Sequence, residues 1–253
     1  MSAQAMTSSA QPAEDMQAAP VCAIIVSGGT GSRFGNPGGK QLMEVAGRPL
    51  MSWAIEAFDR AATIGHIVVV CPSERRDDVR RLAIEPFGFS TPITFADAGA
   101  TRQASTHAGL EATPEGFTYV AIHDGARPLI APETIDAAAR ELMGNGELDG
   151  IVCGQPSIDT LKIVDEQGEI ESTPDRSKFW TVQTPQIFTV KALRYAERLT
   201  EVMGFEGTDD ASLVEQAGGI VRCFEAPRDN VKVTVPEDLP LVEALLRARG
   251  NNA

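Results

Sequence analysis

A chain of 253 residues, 43% hydrophobic and 23% charged, is long enough to bury a large core in one α/β domain or two small ones. Its formal net charge of −13 sets it against nucleic-acid backbones and anionic lipid surfaces, and no apolar run approaches the length that spans a bilayer, so neither nucleic acid nor membrane is an expected partner. Any anionic ligand must therefore be held by a local cluster of Lys, Arg and backbone N–H groups.

The segment Met1 to Pro20 is rich in Ala, Ser and Gln, lacks a basic stretch followed by an apolar one, and contains no Arg; it is expected to be a disordered tail rather than a targeting signal. Val21 to Val26 is a continuous apolar, β-branched run, as in a strand buried on both faces. A Gly-rich loop follows, and then a helical face of Leu50, Ala54, Ala57, Phe58 and Ala61 with Pro49 at its first turn. His66 to Cys71 is a second buried strand, which completes a β-loop-α-β unit of the kind that builds parallel sheets. The alternation continues with a helix over Glu74 to Ala83, a strand at Ile93 to Phe95, a helix over Arg102 to Ala112 and a strand over Thr118 to His123. A helix over Pro132 to Met143 and a strand over Gly150 to Cys153 follow.

Thr160 to Val164 and Glu169 to Glu171 flank a glycine turn at Asp165 to Gly168, the pattern of a β-hairpin that projects from the sheet. Beyond it the pattern predicts helices over Val190 to Met203 and Asp209 to Ala217, a strand over Ile220 to Phe224 and a last helix over Pro236 to Arg249. The four cysteines form no Cys-x-x-Cys pair and three lie in apolar runs, so buried free thiols in a reducing cytoplasm are expected. His66, His107 and His123 have no zinc-site spacing.

Four segments carry chemistry. The loop Ser27-Gly28-Gly29-Thr30-Gly31-Ser32-Arg33, with Lys40 behind it, directly follows a buried strand, where α/β folds bind ligands. Glycines let backbone N–H groups approach phosphate oxygens, and Arg33 and Lys40 add charge. It is not a Walker A loop, and Phe34 blocks a dinucleotide fingerprint. In His123-Asp124-Gly125-Ala126-Arg127-Pro128, a carboxylate at a strand end can bind Mg²⁺ between phosphates, or can cap the turn and pair with Arg127. His123 reads as packed or hydrogen-bonded rather than catalytic. In Gly99 to Ser105 the N–H groups and the Ser105 hydroxyl can read a base edge, or simply open a helix. Thr208-Asp209-Asp210 reads as a helix cap at Thr208, and Lys232, set between Val231 and Val233, needs an anionic partner such as a phosphate.

In this order, the Gly29-x-Gly31-x-Arg33 loop with Lys40-Gln41, Arg102-x-x-Ser105, His123-Asp124-x-x-Arg127-Pro128, Asp159-Thr160, Asp175-Arg176, Thr184-Pro185-Gln186, Thr208-Asp209-Asp210 and Asn230-x-Lys232-x-Thr234 resemble the 2-C-methyl-D-erythritol 4-phosphate cytidylyltransferase family of the non-mevalonate isoprenoid pathway. The resemblance implies a Rossmann-like nucleotide-diphospho-sugar transferase fold: a mostly parallel twisted sheet flanked by helices, one domain over residues 21–250, and a projecting dimerisation arm over 158–176. It implies transfer of CMP from CTP, with Mg²⁺, to methylerythritol phosphate in a cytoplasmic homodimer.

The roles the resemblance implies fall on particular residues. Arg33, Lys40 and the N–H groups of Ser27, Gly28, Gly29 and Gly31 grip the triphosphate. Gly99 and Ser105 face the cytosine, while Asp124, beside Arg127, seats the ribose or the metal. Thr160, Arg176, Thr184 and Lys232 surround the acceptor, with Thr208 and Asp209 also on the substrate side, and Arg176 serves the neighbouring subunit. The chain departs from the family pattern at Ser27-Gly28, where Ala-Ala is usual, at Pro37-Gly38-Gly39 before Lys40, at Ala100, where an acid is common, and at Thr106, where Val is usual. Ribitol 5-phosphate cytidylyltransferases share part of the pattern, and a non-catalytic nucleotide-binding module on the same fold is the alternative of a different class.

Overall fold

The structure is a computed structural model and describes residues 19–29 and 39–250. In chain order its strands and helices are β1 Val21–Val26, β2 Glu44–Val45, β3 Arg48–Pro49, α1 Leu50–Arg60, β4 Ile64–Cys71, α2 Arg76–Val79, β5 Ile93–Asp97 and α3 Arg102–Glu111. Then come β6 Tyr119–Asp124, α4 Pro132–Met143, β7 Gly150–Pro156, β8 Ile163–Val164, β9 Ile170–Ser172, β10 Trp180–Thr189, α5 Val190–Met203, α6 Asp210–Gln216, β11 Val221–Glu225 and α7 Leu239–Gly250.

Seven strands form one sheet in the order β11-β7-β10-β6-β1-β4-β5. β1 runs parallel to β4 and β6, β4 to β5, and β7 to β11, whereas β10 is antiparallel to both β6 and β7. The pattern of β1 explains the layers. Val21, Ala23 and Ile25 point to one face, where Met51, Ile55 and Phe58 of α1 and Ile135 and Leu142 of α4 pack. Cys22 and Ile24 point to the other, against Leu110 of α3, Leu193 of α5 and Val214 of α6. Each of these side chains is almost wholly removed from water, and burying one contributes about 2 kcal/mol. A third cluster of Leu50, Leu129, Val233, Val242 and Leu246 seats α7 over the start of α1.

Three expectations change. The helix expected over Glu74 to Ala83 is a composite: a 3-10 turn at Ser73–Arg75, the four residues of α2, then a π-helical stretch at Arg80–Ile84. Its charged surface leaves Val79 and Ala83 as the buried anchors, too few to hold a regular helix. Pro49 stands just before α1 as its N-cap rather than inside the first turn. Of the cysteines, Cys22, Cys71 and Cys153 are buried free thiols, but Cys223 on the edge strand β11 is exposed.

Candidate active site

The C-terminal ends of β1 and β6 open onto one crevice, because register pairs Val26 with Asp124. Asp124 is the last residue of β6 and is only 8% exposed. Three cations converge on it: Lys232 at 2.7 Å, Arg102 at 3.6 Å and Arg127 at 3.8 Å. Burial alone would raise its carboxyl, but Lys232, then Arg102 and Arg127, outweigh burial and hold it at about 2. Of the two sequence readings of Asp124, the turn with an Arg127 pairing is the one seen. The Asp124 carboxylate lies 3.8 Å from the Arg127 guanidinium as a charge pair without a hydrogen bond, its carbonyl takes the Arg127 N–H at 2.9 Å, and its carboxylate faces Lys232. The anionic partner that Lys232 needed is supplied within the chain.

Behind Asp124 runs a hydrogen-bonded relay that fixes the strand end. The Asp124 N–H donates to the Thr184 hydroxyl at 3.0 Å, and that hydroxyl meets His123 Nδ1 at 3.1 Å. His123 Nε2 lies 3.1 Å from the Arg127 carbonyl, which can only accept, so Nε2 carries the proton and Nδ1 accepts from Thr184. Complete burial pushes the imidazole down to about 4, consistent with this neutral tautomer. Asn230 clamps the far side, donating to the Thr184 carbonyl at 2.8 Å, while its own carbonyl takes an N–H of Arg127 at 2.9 Å. His123 is thus packed and hydrogen-bonded, as the sequence indicates.

The loop side of the crevice is tightly built. Ser27 follows β1, its N–H bonded to the Val70 carbonyl at 2.8 Å, and its buried hydroxyl has no hydrogen-bond partner among the described residues. A side chain at Gly28 would come within 2.6 Å of Ala98 Cβ and 3.2 Å of the Ser105 hydroxyl, so only glycine lets this backbone lie against the start of α3. Thr101 caps α3 by accepting from the Ala104 N–H at 3.0 Å. Ser105 Oγ accepts from the Gly99 N–H at 3.1 Å and donates to the Thr101 carbonyl at 2.9 Å. Its hydroxyl is therefore spent on holding the Gly99 backbone and the start of α3. Gly29 stands near Gln41, and Lys40 Nζ donates to the Val233 carbonyl at 2.6 Å, which joins the end of the loop to the Lys232 segment. Gly31 and Arg33 lie outside the described residues, as do residues 1–18 of the expected tail.

Other predicted positions stand apart. Thr160 and Arg176 are exposed on the arm that holds β8 and β9, with the Arg176 guanidinium on the Ile158 carbonyl at 2.8 Å. The cap of α6 is Asp209 and not Thr208, which is exposed: Asp209 accepts from the Ser212 N–H at 3.0 Å, and a carboxylate at this post also suits the positive helix end. Gln186 of β10 holds the other Asp209 oxygen at 2.7 Å.

Two functional residues had been given no role from sequence. Arg102 bridges Asp124 to Asp210, which is 1% exposed and lies 2.8 Å from the guanidinium. Asp210 titrates upward because burial outweighs Arg102, while Arg102 is raised by its two acids despite its own burial. A signal was present: Asp210, Leu213 and Val214 recur at the spacing of one inward helical face, so Asp210 had to be a buried acid with a partner.

A glycine turn at the end of β1 and a basic cluster organised around one carboxylate at the end of β6, on a mostly parallel sheet, suit an α/β enzyme of the nucleotidyltransferase class. A family model for 2-C-methyl-D-erythritol 4-phosphate cytidylyltransferase matches residues 21–248. A protein of that description from Nostoc punctiforme is 38% identical over 227 residues, covering 90% of this chain and 98% of its own, and one from Syntrophotalea carbinolica is 40% identical over 233 residues, covering 91% and 98%. Among solved structures, 4-diphosphocytidyl-2C-methyl-D-erythritol synthase from Anaerococcus prevotii superposes with a TM-score of 0.79 at 26% identity, covering 90% of this chain and 96% of that one. The Thermus thermophilus 2-C-methyl-D-erythritol 4-phosphate cytidylyltransferase gives 0.70 at 31%, with 89% and 98% covered. The chain belongs to the 2-C-methyl-D-erythritol 4-phosphate cytidylyltransferase family.

Proposed function

We propose that this chain transfers CMP from CTP to 2-C-methyl-D-erythritol 4-phosphate, giving 4-diphosphocytidyl-2-C-methyl-D-erythritol and pyrophosphate. The observation that carries the reading is the convergence of Lys232, Arg102 and Arg127 on Asp124 beside the Gly28 loop. An acceptor phosphate oxygen attacks the α-phosphorus of CTP and pyrophosphate leaves in line. Both partners are anions, so the barrier is mainly electrostatic and orientational. The attacking oxygen is already ionised at neutral pH, and no side-chain nucleophile or strong base is required. Lys40, with Arg33, neutralises the triphosphate; Lys232 exchanges its Asp124 contact for the phosphate that approaches. Gly99, positioned by Ser105, faces the base. Thr184 acts from beneath Asp124, and Thr160 and Arg176 bring the arm to the acceptor.

Magnesium fits this donor set as an ion delivered by the nucleotide. Among the described residues no group of three His, Cys, Asp or Glu side chains could hold a metal, and Asp124 is the carboxylate at the end of β6, held ionised beside the glycine loop. Asp124 would be its one protein ligand, and triphosphate oxygens would complete the shell. When bound, the ion supplies charge neutralisation between the phosphates.

The test is pyrophosphate release from CTP with each acceptor in turn. We expect methylerythritol phosphate to be used with a kcat/KM at least about a hundredfold above ribitol 5-phosphate, a difference of about 3 kcal/mol in transition-state stabilisation. The reverse order would assign the chain to the ribitol reaction, and no release with either would make it a binding module.

The arm supports a homodimer. Ile158, Ile163, Val164, Ile170, Phe179 and Val182 are all at least 40% exposed, and such a run of apolar side chains on a two-stranded projection suits a partner subunit. Deleting residues 164–172 is expected to shift sedimentation from dimer to monomer; an unchanged dimer would reject the arm as the contact. No helix among the described residues is long and apolar enough to cross a membrane, and the buried free thiols suit the reducing cytoplasm.

A further inference from the structure

Arg102 of α3 stands between two carboxylates and favours one of them. Its Nη2 donates to Asp210 Oδ2 at 2.8 Å, while its Nε stops 3.6 Å from Asp124 Oδ1, beyond hydrogen-bond range. The other two cations at Asp124, Lys232 and Arg127, both address Oδ2, at 2.7 and 3.8 Å. Oδ1 is therefore left without a hydrogen bond from any described residue, although a cation stands next to it. Nor is it sealed in: the Asp124 side chain keeps 11% of its surface open, and Oδ1, unlike Asp210 Oδ1, is not one of the buried and unpartnered atoms of the fold.

An arginine so close to an ionised carboxylate would ordinarily close the gap. A charge-assisted N–H···O bond is about 2.7–2.9 Å long and roughly twice as strong as a neutral one. Asp210 opposes that closure from a fixed post. It is the first residue of α6 and almost wholly buried, and the start of that helix is clamped to β10: Gln186 accepts the Ala211 N–H at 3.1 Å and donates to Asp209 at 2.7 Å. The hold on Arg102 does not depend on the charge of Asp210, whose carboxyl burial raises. Oδ2 accepts from Nη2 in the ionised form and equally as the carbonyl oxygen of the acid.

On the reading of the crevice as a cytidylyl-transfer site, we propose that Asp210 is a positioning residue: by holding the Arg102 guanidinium toward α6, it keeps Asp124 Oδ1 open to the nucleotide. Arg102 then lends its charge to Oδ1 without capping it. Asp210 touches no reacting atom and acts through Arg102 alone.

Asp210→Leu is similar in size, offers no acceptor, and releases Arg102 to pair with Asp124. Calorimetric titration with CTP should show at least about tenfold weaker binding, and the KM for CTP should rise to match while that for the acceptor moves less than about threefold. On Arg102→Met, which removes the guanidinium and keeps an apolar stem, the same Asp210→Leu change should alter CTP binding by less than about twofold. A ligand-free crystal structure of Asp210→Leu should show Arg102 Nε hydrogen-bonded to Asp124 Oδ1. Should that variant fail to fold, the wild-type chain crystallised with CTP decides: Arg102 stays on Asp210 while the nucleotide, or an ion it carries, takes Oδ1. Undiminished CTP binding by a folded Asp210→Leu, a loss of equal size on Arg102→Met, a guanidinium that stays off Asp124 in the variant, or one that leaves Asp210 in the CTP complex would each overturn the proposal. A wild-type chain that binds no CTP would reject the cytidylyl-transfer reading instead, and the ligand-free structure of Asp210→Leu would still decide the role of Asp210.

Discussion

Lys40→Ala is expected to lower kcat about 10²–10³-fold, the usual cost of removing one preorganised donor to charge that grows in a transition state. The side chain stands just after the glycine loop, and its ammonium is held 2.6 Å from the Val233 carbonyl, one residue from Lys232. Lys40 thus comes from the end of the glycine loop and meets the 231–234 segment that carries Lys232. A lysine that merely stitched those segments together would, when removed, loosen both and lower the melting temperature. One that stabilises the pentacovalent phosphorus would leave melting nearly unchanged and strike kcat harder than KM. Steady-state kinetics together with a thermal melt separate the two; near-normal turnover would reject the role.

The second large effect is expected at Asp124. Asp124→Asn leaves Lys232, Arg102 and Arg127 facing one another without the anion that holds them. Breaking a buried pair from one side costs about 3–5 kcal/mol, and the partial exposure of Lys232 and Arg102 places this case at or below the lower end, about 2–3 kcal/mol. The titration of Asp124 gives a similar figure. A carboxyl held at about 2 instead of 3.8 contributes about 2 kcal/mol. Because its folded value is depressed, that contribution is fully present above the unfolded value near 4 and is lost as pH falls through about 2. Urea unfolding of wild type and variant should therefore show a gap that is constant from pH 7 to about 5 and narrows below about 4. A gap under about 0.5 kcal/mol at pH 7, or one that widens in acid, would remove Asp124 from its place as the organising anion. The same substitution should lower kcat/KM about a hundredfold, since all three cations lose their common anchor.

Much of the fold was legible because its strands are buried on both faces. Val21 to Val26 and His66 to Cys71 read as strands from unbroken apolar runs, and Pro132 to Met143 and Val190 to Met203 as helices from one-sided periodicity. β10 was not legible. Pro185 in its middle argues against a central strand, and the polar residues Thr181, Gln183, Thr184 and Gln186 hide the apolar half. The structure accommodates the proline where the pairing with β7 shifts register between Val182 and Gln186. The site shows the same division. Its loop and its charged residues stood out singly against an acidic chain, but the pairing of Lys232 with Asp124 joins residues far apart in sequence and depends on the sheet order. The hydroxyl of Thr184 beneath Asp124 depends on β10, a strand that could not be read.

That reversed strand has a consequence for how the molecule tolerates change. β7 and β10 are adjacent and antiparallel, with Trp180 opposite Pro156, so everything between them, residues 157–179, is topologically the tip of one long ribbon. Lengthening or trimming a tip alters chain-closure entropy only logarithmically, by about 0.6 kcal/mol per doubling, and moves no strand of the sheet. The segment that presents Thr160 and Arg176 can therefore be rebuilt or exchanged between relatives while the Asp124 crevice stays as it is. The arm and the Asp124 crevice are in this sense separable parts of the chain, free to diverge at different rates.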